Sequence, residues 1–94
     1  MDAEQVSRDL FGRPCRLPLA LWILNRDERF FQSEPPRDVG TKTAVRQELS
    51  RLAAVGMIME LPIDGKNRVY YEKTRSPLWA IIQAAANVLA ESRE

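Results

Sequence analysis

Histidine is absent from this 94-residue chain, and cysteine occurs once, at Cys15. Without imidazoles and with one thiol, a single chain cannot assemble the Cys/His sets that hold zinc. The usual general base of enzymes working near neutral pH is missing as well. The four glycines form no phosphate-cradling loop, and no nucleophile motif is present. These absences predict a protein that is not an enzyme and uses no metal and no cofactor. A lone cysteine also excludes an intramolecular disulfide and suits a reducing compartment; Cys15 reads as a small, partly buried thiol and not as a redox sensor. Long hydrophobic runs are lacking: residues 17–24 are apolar but too short to span a bilayer, and they include Pro18. The start, Met-Asp-Ala-Glu-Gln, has no basic and apolar regions of a signal peptide. A soluble, cytoplasmic protein is expected.

An excess of one charge sign is nearly absent too, with a net charge of +1. The chain as a whole is therefore no basic nucleic-acid sponge. The charge is unevenly placed, however. Residues 1–36 carry five basic and six acidic groups, residues 37–73 seven and five, and residues 74–94 two and two. The small positive excess falls in the middle third. Length and a 45% hydrophobic content describe one ordinary globular domain over 1–94, with no internal repeat and no linker.

That middle third reads TKTAVRQELSRLAAVGMIMELPIDGKNRVYY from Thr41 to Tyr71. Val45, Leu49, Leu52 and Gly56 recur at helical spacing and define one buried stripe. Thr41 or Thr43 suits the N-cap, and Gly56 suits the C-terminal stop. A helix over about 41–55 follows. Two β-rich runs, near 57–63 and 68–73, flank Asp64-Gly65-Lys66-Asn67, a strong hairpin-turn signal. Pro62 belongs at an edge or strand end, because it cannot donate to the ladder. The free helix face carries Lys42, Thr43, Arg46, Gln47 and Ser50. Such a face followed by a basic hairpin tip fits a major groove and the adjacent phosphates.

The spacing T-x-x-V-R-x-x-L-x-x-L-x-x-x-G-M-I, followed by D-G-K-N-R-V-Y-Y, resembles the recognition helix and wing of bacterial winged helix-turn-helix regulators of the arsenic-repressor-like (ArsR) and multiple-antibiotic-resistance-like (MarR) type. The likeness is strong over about a third of the chain and loose over most of it. It implies an α+β winged helix-turn-helix with a two-stranded wing over about 57–73 and a C-terminal dimerisation helix over about 77–92. The implied function is sequence-specific binding of double-stranded DNA by a homodimeric transcription regulator. Arg46 and Gln47 have the chemistry for base edges. Arg37, Thr41, Lys42, Thr43 and Ser50 suit phosphates, and Lys66, Asn67 and Arg68 form the wing tip. Winged helices also serve as protein-interaction modules within larger complexes, so fold alone does not fix function.

The remaining segments complete the expectation. A first helix over 3–11 has Val6, Leu10 and Phe11 turned inward. A second helix starts between Pro14 and Pro18 and is apolar nearly all round, with Trp22 in the core. Phe30-Phe31 is a one-rung strand or a core anchor. Pro35-Pro36 leaves room for about one helical turn where related regulators have a longer, alanine- and leucine-rich helix. Tyr70 and Tyr71 point to opposite sheet faces, one into the core. Ser76-Pro77 opens the last helix, and residues 77–90 carry no charge at all. A domain this small rarely covers such a helix alone. The expected dimer surface comprises Val6, Leu10, Leu78, Trp79, Ile82, Ala85, Ala86 and Leu89.

Overall fold

The computed structural model describes residues 2–27, 29–62 and 68–91. Among them the chain forms an α+β domain of four helices and one three-stranded antiparallel sheet.

Helix α1 (Ala3–Phe11) begins where the Asp2 carboxylate accepts from the Gln5 amide at 2.8 Å, and it stops at Gly12, whose φ of 78° few other residues adopt. Its inward face differs from expectation. Leu10 is 71% exposed, Val6 and Phe11 are half-buried against the core, and the fully buried residue is Ser7. That hydroxyl accepts from the Leu17 amide at 2.8 Å and donates to the Arg13 carbonyl. Ser7 thereby caps helix α2 (Arg16–Leu24) from a neighbouring helix, a role its own first flanking residue, Cys15, does not fill. Pro18 lies in the first turn of α2, where a missing amide hydrogen costs least. Leu17, Leu19, Ala20 and Ile23 are buried, which makes α2 the central helix.

Strand β1 (Phe30–Phe31) is both alternatives at once. It pairs with the strand Tyr70–Lys73, and Phe30 is a core anchor, stacked on Tyr71 at 5.8 Å between ring centroids and edge-on to Trp22 at 5.3 Å. No short helix follows. The segment 36–40 is a hydrogen-bonded turn, Val39 N–H to Pro36 O at 3.1 Å and Gly40 N–H to Arg37 O at 3.2 Å. Pro35-Pro36 fix two φ angles and supply no amide donors, which stops a longer helix from nucleating.

Helix α3 (Lys42–Ala54) ends in a Schellman motif at Gly56, φ 82°, with Met57 N–H on Leu52 O at 3.0 Å and Gly56 N–H on Ala53 O at 3.1 Å. Strands β2 (Ile58–Leu61) and β3 (Tyr70–Lys73) follow, shorter than the β-rich runs, in the order β1-β3-β2. The hairpin therefore belongs to a three-stranded sheet, because Phe30-Phe31 adds an edge the two-stranded expectation left out. Tyr71 faces the core, while Tyr70 is half-buried beside Phe31. Lys73, on the Tyr71 side, donates to the Leu24 carbonyl at 2.9 Å and so satisfies the C-terminal end of α2.

Helix α4 (Trp79–Glu91) packs on α2. Its inward stripe is Trp79, Ile82 and Leu89, with the Trp79 indole donating to the Met57 carbonyl at 2.9 Å. No helix of the described residues is long and apolar enough to cross a membrane.

Candidate nucleic-acid interface

The caps and stripe of α3 decide which side chains it can offer. The Thr41 hydroxyl accepts from the Ala44 amide at 3.2 Å, which starts the helix with Lys42 in its first turn. Val45, Leu49 and Leu52 then point into the core. At 3.6 residues per turn, Thr41, Lys42, Thr43, Arg46, Gln47 and Ser50 are left on the solvent side, and all six are exposed. The structure thus brings these six residues onto one continuous surface.

Arg46 lies at the edge of that surface closest to the sheet. Burial pushes the Tyr71 hydroxyl above its ordinary range and the facing Glu60 carboxylate adds to this, while the positive charge of Arg46 and a hydrogen bond from Gln32 oppose it. Thr43, Gln47 and Ser50 occupy the centre of the exposed face. Arg37 joins from the turn: with Lys42 and Arg46 it lines a cleft of about 290 Å³ whose other wall runs from Gln32 to Pro36 and includes the Glu34 carboxylate, itself paired with Arg26. The turn is held close by Gly40, where an added Cβ would stand 2.7 Å from the Cys15 sulfur. Arg68 is exposed and its guanidinium sits 5.1 Å from the Phe31 ring centroid, at the β1 side of the sheet. Lys66 and Asn67, expected at the wing tip, lie outside the described residues.

One residue that fixes α3 was not singled out from the sequence. Glu48 is 3% exposed, and its carboxylate accepts from Arg16 Nε at 2.9 Å and from Arg51 Nη1 at 2.8 Å. Arg16 also donates to the Phe11 carbonyl at 2.6 Å. The ends of α1 and α2 and the middle of α3 are therefore tied through one buried carboxylate. The signal was positional: Glu48 lies three residues after Val45 and four before Leu52, inside the buried stripe. Cys15 is near the same cluster; burial first, and the Glu48 charge second, push its thiol above the ordinary range. A thiol of that kind is a poor nucleophile at neutral pH.

No protein-family profile, curated protein or solved structure matches this chain. A function has to be read from its own side chains.

The residues expected at a dimer surface separate into two groups. Trp79, Ile82 and Leu89 are enclosed by the chain's own core, and Val6, Ala85 and Ala86 are half-buried. Leu10 and Leu78 are exposed, and so are Ile81 and Val88, apolar residues of the same helix outside the expected dimer set. Helix α4 carries two apolar stripes offset by one residue. Trp79, Ile82 and Leu89 face inward with Ala85 packed against the core beside them, whereas Ile81 and Val88, with Leu78 just ahead of the helix, are exposed. Gln83, which donates to Asn87 at 3.0 Å on an exposed side, marks a polar face, but the surrounding apolar residues leave the sequence little means of telling one stripe from the other.

Proposed function

We propose that this protein is a winged-helix regulator of bacterial transcription, similar to the ArsR and MarR types, that binds double-stranded DNA as a cytoplasmic homodimer. In this reading it is not an enzyme. Helix α3 is the reading helix, and the β2–β3 hairpin behind it is the wing. The observation that carries the reading is the exposed face of α3: six polar or cationic side chains, joined at its N-terminal end by Arg37, with no carboxylate among them. Arg46 and Gln47 are assigned to base edges. Arg37, Thr41, Lys42, Thr43 and Ser50 are assigned to phosphates, and Arg68, with Lys66 and Asn67, to the flanking backbone. The exposed Leu78, Ile81 and Val88, on α4 and just ahead of it, are the dimer surface, since aliphatic rows on two helices pack closely.

Selection of bound fragments from genomic DNA tests the reading. The expected product is a pseudo-palindromic site with half-sites about one helical turn apart. If no fragment is enriched at low salt, DNA binding is wrong.

A second reading, a winged helix that docks on a protein partner, draws on two features. The backbone-crossing helix expected ahead of α3 is only the turn over 36–40. The Glu34 carboxylate lines the same cleft as Arg37, Lys42 and Arg46, and Glu60 faces Tyr71 together with Arg46, which weakens attraction to phosphate.

A further inference from the structure

Three cations meet one carboxylate in the cleft beside the start of α3. Arg37, Lys42 and Arg46 line one side and are exposed, and the segment from Gln32 to Pro36, with Glu34 in it, lines the other. A phosphate entering between the two sides is drawn by three charges and repelled by one. How strongly Glu34 repels it depends on what stands behind Glu34, because opposite charges held together largely cancel at a distance.

Arg26 stands there, just past the end of α2. Its Nη2 donates to Glu34 Oε1 at 3.0 Å, and Glu34 Oε2 accepts from the Phe31 amide at 3.3 Å. Both partners are fixed by further contacts. The Arg26 guanidinium lies over the Trp22 ring at 4.6 Å from its centroid, and the Arg26 amide donates to the Ile23 carbonyl at 3.0 Å. The Glu34 amide closes a turn onto the Phe31 carbonyl at 3.0 Å. The two side chains are 31% and 29% exposed, so water screens the pair only in part. Arg26 lies outside the cleft lining and reaches the cleft through Glu34.

We propose that Arg26 sets the phosphate affinity of this cleft by neutralising Glu34, which makes Glu34 a brake on DNA binding and Arg26 its release. Arg26 is a positioning residue in this assignment: it touches no phosphate and acts through the carboxylate. The inference rests on the DNA reading and concerns how tightly that face holds the backbone. A pair with a merely structural role behaves differently, since losing either partner would loosen the 31–36 turn and weaken binding in the same direction. An electrostatic pair gives effects of opposite sign.

Fluorescence anisotropy of the full chain with a mixed-sequence DNA duplex, over a salt series, separates the two. The proteins are the unaltered chain, Glu34→Gln, Arg26→Met and the double variant. Glutamine keeps one acceptor in the turn, and methionine keeps an apolar stem against Trp22. Glu34→Gln should bind about threefold more tightly per chain and Arg26→Met about threefold more weakly, the order expected of one charge several ångström from a phosphate in water. The double variant should return to the affinity of the unaltered chain, and the differences should shrink as salt rises. Glu34→Gln decides the matter even where Arg26→Met unfolds. Binding by the unaltered chain with Glu34→Gln no tighter would overturn this assignment alone, and so would a folded double variant as weak as Arg26→Met. No binding of the duplex by any of the proteins at low salt would overturn the DNA reading and this assignment with it.

Discussion

Glu48→Ala removes the one carboxylate that ties α1, α2 and α3 together, and the structure sets the size of the loss. Three charge-assisted hydrogen bonds disappear, two short ones from Arg16 Nε and Arg51 Nη1 and a long one from Arg16 Nη2 at 3.5 Å; each short one contributes about 1.5–3 kcal/mol in proteins. The arginines left behind are 32% and 44% exposed, so both can regain water, and Arg16 keeps its bond to the Phe11 carbonyl. The loss should therefore fall below the roughly 3–5 kcal/mol seen when one member of a wholly buried pair is deleted. About 2–3 kcal/mol is expected, a shift of roughly 10–20 °C in a domain of this size. Glu48→Met separates charge from volume. It fills the space Glu48 leaves without a carboxylate to desolvate, and should recover at least about 1 kcal/mol of the loss. Urea unfolding of the three proteins is the assay, read as a change in midpoint at constant slope. A loss under about 0.5 kcal/mol for Glu48→Ala, or Glu48→Met less stable than Glu48→Ala, would refute the reasoning. The carboxylate would then merely break even against its own desolvation, or pack differently.

Three other outcomes follow from the same packing. Ser7→Ala should cost about 1–3 kcal/mol in urea unfolding, because it strands the Leu17 amide in the interior and takes a donor from the part-buried Arg13 carbonyl; a change within about 0.5 kcal/mol, the usual size at a surface position, would show that Ser7 does not cap α2. The raised Cys15 thiol means the folded state holds that proton more tightly than the unfolded chain does. Its contribution is intact below the ordinary thiol range and is lost as pH rises through that range towards the raised value. Melting temperature should thus fall on the alkaline side less steeply in Cys15→Ala than in the unaltered protein, and native Cys15 should alkylate slowly at neutral pH. Ile81→Glu with Val88→Glu should convert a dimer to a folded monomer by light scattering, whereas charges at Ile82 or Leu89 should unfold the chain, since those side chains are core. A protein already monomeric at micromolar concentration would remove the dimer from the account.

Much of this arrangement was legible because local chemistry and tertiary structure agree. Thr41 and Gly56 bracket α3 as their capping chemistry demands, and the Val45–Leu49–Leu52 stripe faces inward. The exposure of Lys42, Thr43, Arg46, Gln47 and Ser50 follows directly. The failures have one cause: they concern which partner lies opposite a residue. Leu10 looks apolar enough to be inside, yet Ser7 holds the inward position because α2 needs a cap there. Glu48 reads as one more surface charge until Arg16, thirty-two residues earlier, is brought to it. Phe30-Phe31 is too short to identify as a strand without seeing Tyr70 and Tyr71 alongside. Within α4, only Gln83 and Asn87 mark a polar side over residues 79–90, which leaves rotation loosely determined until Met57 and α2 engage Trp79 and its neighbours.

The central claim, that the α3 face reads DNA, is tested most directly by equilibrium binding of the unaltered protein, Arg46→Ala and Lys42→Ala to a selected duplex and its scrambled counterpart over a salt series. The account predicts that Arg46→Ala costs roughly 1–3 kcal/mol per site on the selected duplex and narrows the gap to the scrambled one. Lys42→Ala should weaken both duplexes alike and reduce the salt slope by about one unit. No DNA binding by the unaltered protein at low salt, or two variants that bind both duplexes as tightly as it does, would contradict the account and leave α3 as a surface for a protein partner.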